Sequence, residues 1–151
     1  MPNEKVRLLV ESLSTRFTRV QSVLLILGKR ERQIAGVQRI IKKMRDELGV
    51  PVRTMLATRL PEPGTLRYAD IVDSCDLVIG FKVEETEASA ACLLLDAKNS
   101  GAYVVLVDND VNSFRSNVNI QLKTKLPGMV EYIINQASRR KNGTLVKKGT
   151  P

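Results

Sequence analysis

The sequence predicts a single three-layer α/β sandwich of Rossmann-like or flavodoxin-like type, with about five mostly parallel strands and an extra N-terminal helix. Three observations predict it. Short unbroken apolar runs such as Val23-Leu24-Leu25-Ile26-Leu27 and Tyr103-Val104-Val105-Leu106-Val107 have the pattern of strands buried on both faces. Segments of helical periodicity separate them, and Gly or Pro punctuates the junctions. Strand-helix alternation of this kind implies right-handed crossovers and a parallel sheet, and 151 residues at 43% hydrophobic content suffice for one core.

The elements follow in order. Val6, Leu9, Val10, Leu13 and Phe17 recur at helical spacing and predict an amphipathic helix that covers a sheet face or a partner. Ser22 to Leu27 is the first strand, closed by Gly28. From Arg30 to Leu48 the residues Ile34, Val37, Ile41, Met44 and Leu48 define a second helix, stopped by Gly49-Val50-Pro51. Val52 to Ala57 is the second strand, and Pro61, Pro63 and Gly64 form the loop behind it. A short helix over Leu66 to Ser74 leads into a third strand, Asp76 to Phe81. The helix from about Glu85 to Asn99 is apolar over most of its circumference and is expected to be largely buried. Gly101 ends it, and Tyr103 to Val107 is the fourth strand, central together with Val23 to Leu27. Val118, Ile120 and Leu122 alternate as a fifth, and Pro127-Gly128 opens a last helix carrying Val130, Ile133, Ile134 and Ala137. The domain is expected over 1–138, with 139–151 as a basic, flexible tail, because apolar periodicity stops at Arg139.

Twenty-four Lys and Arg against sixteen Asp and Glu give a formal charge of +8, which favours polyanionic partners such as nucleic acid. Cys75 and Cys92 form no CxxC pair, so neither a zinc site nor a disulfide framework is indicated, and a reducing cytoplasm is expected. No apolar run is long enough for a membrane span, and no signal-peptide pattern opens the chain.

Open parallel sheets bind ligands beyond the carboxyl ends of their strands. Those ends carry Gly28-Lys29-Arg30, then Thr58-Arg59, then Lys82 to Glu87, then Asp108-Asn109-Asp110. A rim with Lys29, Arg30 and Arg59 beside Glu84, Glu85, Glu87, Asp108 and Asp110 could take an anionic ligand together with a metal ion held by Asp108 and Asp110. The chain has no histidine, which excludes Ser-His-Asp and Cys-His chemistry. Gly28-Lys29-Arg30-Glu31-Arg32 holds one glycine, so neither GxGxxG nor GxxxxGK[ST] is present, and the sequence names no cofactor. A second kind of site is a basic strip on the long helix, where Arg32, Arg39, Lys42 and Lys43 lie opposite the apolar stripe, extended by Arg16, Arg19 and the tail.

Three resemblances accompany these residues. Gly49-Val50-Pro51 with Ala57-Thr58-Arg59-Leu60-Pro61-Glu62 resembles a segment of carboxyaminoimidazole ribonucleotide mutases, with Thr58 at the family's histidine position. Asp70 to Ile79, with Glu87-Ala88-Ser89-Ala90-Ala91 and Val104 to Val107, is similar to the second half of nucleoside deoxyribosyltransferase-like domains. That resemblance implies a catalytic carboxylate at Glu87. Asp96-Ala97-Lys98-Asn99-Ser100-Gly101 resembles the donor domain of two-domain glycosyltransferases. Resemblance to three families at once reflects a shared fold. The functional expectation is a cytoplasmic binding domain that contacts nucleic acid or another polyanion, as a homo-oligomer or within a larger assembly. The alternative is a nucleotide- or nucleoside-processing enzyme using Glu87.

Overall fold

The computed structural model describes residues 4–28, 35–81, 83, 88–107, 117–122 and 132–141. Among these residues five strands form one sheet: β1 (Val23–Leu27), β2 (Val52–Leu56), β3 (Leu77–Phe81), β4 (Tyr103–Val107) and β5 (Ile120–Leu122). Every pairing is parallel, in the order β2-β1-β3-β4-β5. Val23 lies opposite Val52 on one side and Leu77 on the other, and Leu77 in turn faces Tyr103. The expected α/β sandwich is therefore the observed one. β1 and β4 are interior as expected, and β3 takes the middle place.

Strand residues alternate between two separate cores, which is why the strands read as continuous apolar runs. One face gathers Val23, Leu25, Leu27, Leu77, Ile79, Phe81, Val105 and Val107. Against it pack helix α1 (Glu4–Phe17) through Leu13 and Phe17, helix α2 (Ala35–Lys43), and helix α5 (132–141) through Ile133, Ile134 and Ala137. The opposite face gathers Leu24, Ile26, Val78, Val104 and Leu106 under helices α3 (Leu66–Ser74) and α4 (Ala88–Asn99). The N-terminal helix thus covers the sheet.

Several boundaries and faces differ from the sequence reading for local reasons. Helix α2 continues into a wide, π-type turn over Met44–Leu48, and Gly49 closes it in the left-handed conformation at φ 67°. The wider turn keeps Ile40, Met44 and Leu48, four residues apart, all buried on one face. Ile40 is therefore the core residue, while Ile41 is only half-buried. Ala57 leaves β2 for a 3-10 turn over Ala57–Arg59. Helix α4 buries Ala90, Leu93, Leu94 and Ala97, but Cys92 is exposed and Leu95 is 37% exposed, so the expected burial holds for one face only. Helix α5 runs through the expected domain boundary at 138 to residue 141. Its last turn is tied down: Arg140 Nη1 donates to Thr15 Oγ1 at 3.1 Å, and Lys141 Nζ to the Leu48 carbonyl at 2.7 Å.

Candidate ligand-binding edges of the sheet

Strand order fixes where the chain reverses its direction of progress. After β1 the chain moves outward to β2, and after β2 it crosses back to β3 on the other side of β1. The helices on either side diverge there, so the carboxyl ends of β1 and β3 border the crevice where ligands bind in open α/β sheets. At that point Gly28 is buried and its N–H donates to the Phe81 carbonyl at 2.8 Å, extending the β1–β3 ladder one step past Leu27. Gly80 beside it is a close approach: Leu106 occupies the space a side chain would need. Val83, just beyond β3, is buried.

Of the residues expected at this edge, Arg59 is exposed on the turn after β2. Lys29, Arg30, Arg32, Lys82, Glu84, Glu85, Glu87, Asp108 and Asp110 lie outside the described residues. Lys29 and Arg30 directly follow Gly28 in the chain, and Glu87 directly precedes the described start of α4. Among the described residues no three His, Cys, Asp or Glu side chains are grouped to hold a metal. No helix among them is long and apolar enough to cross a membrane.

The basic strip on α2 is narrower than the periodicity implies. Arg39 and Lys42 are exposed, but Lys43 is half-buried and turns into the seam between α2 and α5. There its Nζ donates to Asn135 Oδ1 at 2.9 Å and stands 3.5 Å from Glu47 Oε1.

A second concavity lies at the amino-terminal edge. A cleft of about 480 Å³ is lined by Ser12, Thr15, Arg16, Arg19, Asp76 and Tyr103, with Val20, Leu77 and Gly101 completing it. The Arg16 guanidinium lies over the Tyr103 ring, 4.2 Å from its centroid. Asp76 is committed to backbone: its two oxygens accept from Gln21 N and Ser22 N, each at 2.9 Å. Arg16 and Tyr103 are far apart in the chain, so no local pattern announces the pair.

Two further polar groups serve the scaffold. The Tyr68 hydroxyl donates to Asp96 Oδ2 across α3 and α4, and burial with that carboxylate pushes the phenol well above the usual tyrosine range. The Cys75 thiol donates to the Ile71 carbonyl at 3.3 Å, and burial, then the charge of Asp76, pushes it up to about 11.

No family model matches this chain, and no curated protein matches it in sequence. Solved structures do match the fold. The sugar isomerase domain of the RpiR transcription factor from Sphaerobacter thermophilus aligns over 94% of this chain and 79% of its own, with a TM-score of 0.57 at 12% identity. A protein from Salmonella typhimurium LT2 described as a candidate sugar binder aligns over 94% of this chain and 44% of its own, with a TM-score of 0.56 at 14% identity. The C-terminal domain of glucosamine-fructose-6-phosphate aminotransferase from Francisella tularensis aligns over 91% of this chain and 39% of its own, with a TM-score of 0.57 at 13% identity. This chain spans less than half the length of the last two. At these identities the likeness is one of fold, and none of the three is a nucleoside transferase by its description.

Proposed function

We propose that this chain is a binding domain for a phosphorylated sugar, held at the carboxyl ends of β1 and β3. The observation that carries the reading is the strand order β2-β1-β3-β4-β5, which puts the reversal point between β1 and β3. The similar folds include a sugar isomerase domain and a candidate sugar binder, which supports a sugar as the ligand. The phosphate is favoured by charge: Lys29 and Arg30 follow β1, Arg59 follows β2, and helices α2 and α4 start on this side with their positive dipole ends. In this reading the cations and helix starts neutralise the phosphate, and Glu87 is the carboxylate that would handle a proton on the sugar if the domain is catalytic.

The test is thermal unfolding with hexose 6-phosphates, the parent hexoses and inorganic phosphate in parallel. A sugar phosphate at about a hundred times its Kd adds about 2.7 kcal/mol, a rise of several degrees for a domain of this size. Lys29→Gln with Arg30→Gln should remove the rise, and Glu87→Gln should leave it intact while abolishing any isomerase activity found. An equal rise with inorganic phosphate alone, or no rise with any sugar phosphate, would refute the reading.

A second reading, contact with a polyanion, is favoured by the net charge of +8 together with guanidinium groups displayed on the surface at Arg16 and Arg19. It requires no pocket.

A further inference from the structure

We infer that the cleft at the amino-terminal edge of the sheet, lined by Ser12, Arg16, Arg19 and Tyr103, is a site for the phosphate backbone of a nucleic acid. The inference rests on the polyanion reading and gives it a place, on the side of the molecule opposite the proposed sugar site.

At the end of a helix, arginines ordinarily hydrogen-bond the last carbonyls or complement the dipole. Arg16 instead lies over Tyr103, its guanidinium carbon 4.2 Å from the ring centroid, where the face of the ring attracts the cation. Among the described residues neither Arg16 nor Arg19 has an ion-pair partner or donates a side-chain hydrogen bond. The one carboxylate lining the cleft, Asp76, is occupied by the amides of Gln21 and Ser22 and does not neutralise them. Ser12, exposed one turn before Arg16, adds a hydroxyl without a partner among the described residues.

Shape and continuity argue for a polymer. The cleft is open to solvent, with Ser12, Arg16, Arg19 and Gly101 all exposed along it. Positive charge continues past it, because Arg140 reaches Thr15 from α5 at 3.1 Å and Arg139 is exposed on the same turn. A track of guanidiniums longer than one phosphate suits successive phosphates. The aromatic face in the cleft is already covered by Arg16, so no base can stack there, and binding rests on the backbone alone with little sequence preference.

The experiment is a salt titration of the full chain against a short labelled duplex DNA. Wild type, Arg16→Gln/Arg19→Gln, Arg16→Lys/Arg19→Lys and Arg39→Gln/Lys42→Gln are compared. Wild type should bind with log affinity falling linearly with log salt, at about 0.9 per phosphate contact. The Gln pair at the cleft should lower the slope by about 1.8, and affinity at least tenfold at low salt. The Lys pair, which keeps charge without the planar fork, should retain the slope, and the α2 pair should behave as wild type. Circular dichroism on each variant establishes that it is folded. Absence of wild-type binding at about 50 mM salt overturns the site and the polyanion reading together. Binding whose slope is unchanged in the cleft variants but lowered in the α2 pair overturns the site and leaves the reading standing. Inorganic pyrophosphate competing as well as duplex at equal phosphate would show a single-phosphate pocket and overturn the polymer track.

Discussion

A methyl group added at Gly80 would sit 2.7 Å from Leu106 Cδ2 and 3.1 Å from Val83 Cγ2. Leu106 is fully buried, so Gly80→Ala, which forces it to shift, should destabilise the fold by about 1–3 kcal/mol, read from the midpoint of urea unfolding. The two cysteines offer a second measurement at this scale. Cys92 is exposed and Cys75 part-buried with a raised thiol, so alkylation at pH 8 should modify Cys92 and spare Cys75, as peptide mapping would show. The sign of the pH effect follows from the same shift. Folding holds the Cys75 proton more tightly, so its contribution is complete below about pH 9 and declines as pH rises toward 11. A Cys75→Ala chain should lose that part of the alkaline decline. Neither feature was legible in the sequence, because Gly80 reads as an ordinary strand residue until Leu106 is placed opposite it. The same holds for Arg16, whose partner Tyr103 belongs to β4. The absence of histidine from these 151 residues, by contrast, is legible without any structure.

Among the elements, periodicity located the helices well and their ends less well. Helix α3 has the predicted limits, Leu66 to Ser74, since Thr65 caps it by accepting from Tyr68 N and the apolar residues Tyr68, Ile71 and Val72 face the core. The second helix departs from the prediction at its buried face, because a spacing rule built on 3.6 residues per turn cannot anticipate a π-type turn. The last helix runs past the expected boundary at Ser138, since Arg139, Arg140 and Lys141 carry no apolar signal while Arg140 and Lys141 are held by hydrogen bonds to distant residues. The two ends meet there: Lys141 caps the Leu48 carbonyl that the π-type turn leaves open. Lys141→Met, which keeps the stem and removes the charge, should therefore cost about 1 kcal/mol in denaturant unfolding. Truncation after Ser138 should cost more, because it also removes Arg140 from Thr15. A truncation as stable as wild type would show that 139–141 is the free tail the composition implied.

At the level of the whole molecule, the α/β class was legible because strands buried on two faces cannot be mistaken for alternating ones, whereas strand order was not. Order is decided by which helices cover which face, and no residue pattern here states it. The carboxyl-edge residues could be named from the strand ends, but the amino-edge cleft could not, since it joins α1, β3 and β4. Helix α1 packs against helix α5 in the same core, with Ser14 Oγ donating to the Ile133 carbonyl at 3.5 Å, so the two ends of the described chain stabilise each other. Unfolding should accordingly be one transition, with far-ultraviolet dichroism and tyrosine emission coinciding. The all-parallel sheet has a further consequence in time. With no hairpin among the described strands, Val23 must find Val52 to start one ladder and Leu77 to start the next, and each meeting closes a long loop. High contact order makes this a slower folder than a helical bundle of equal length, and its half-built state exposes the edges of β1 to any other nascent copy, the stage at which a chaperone would matter most.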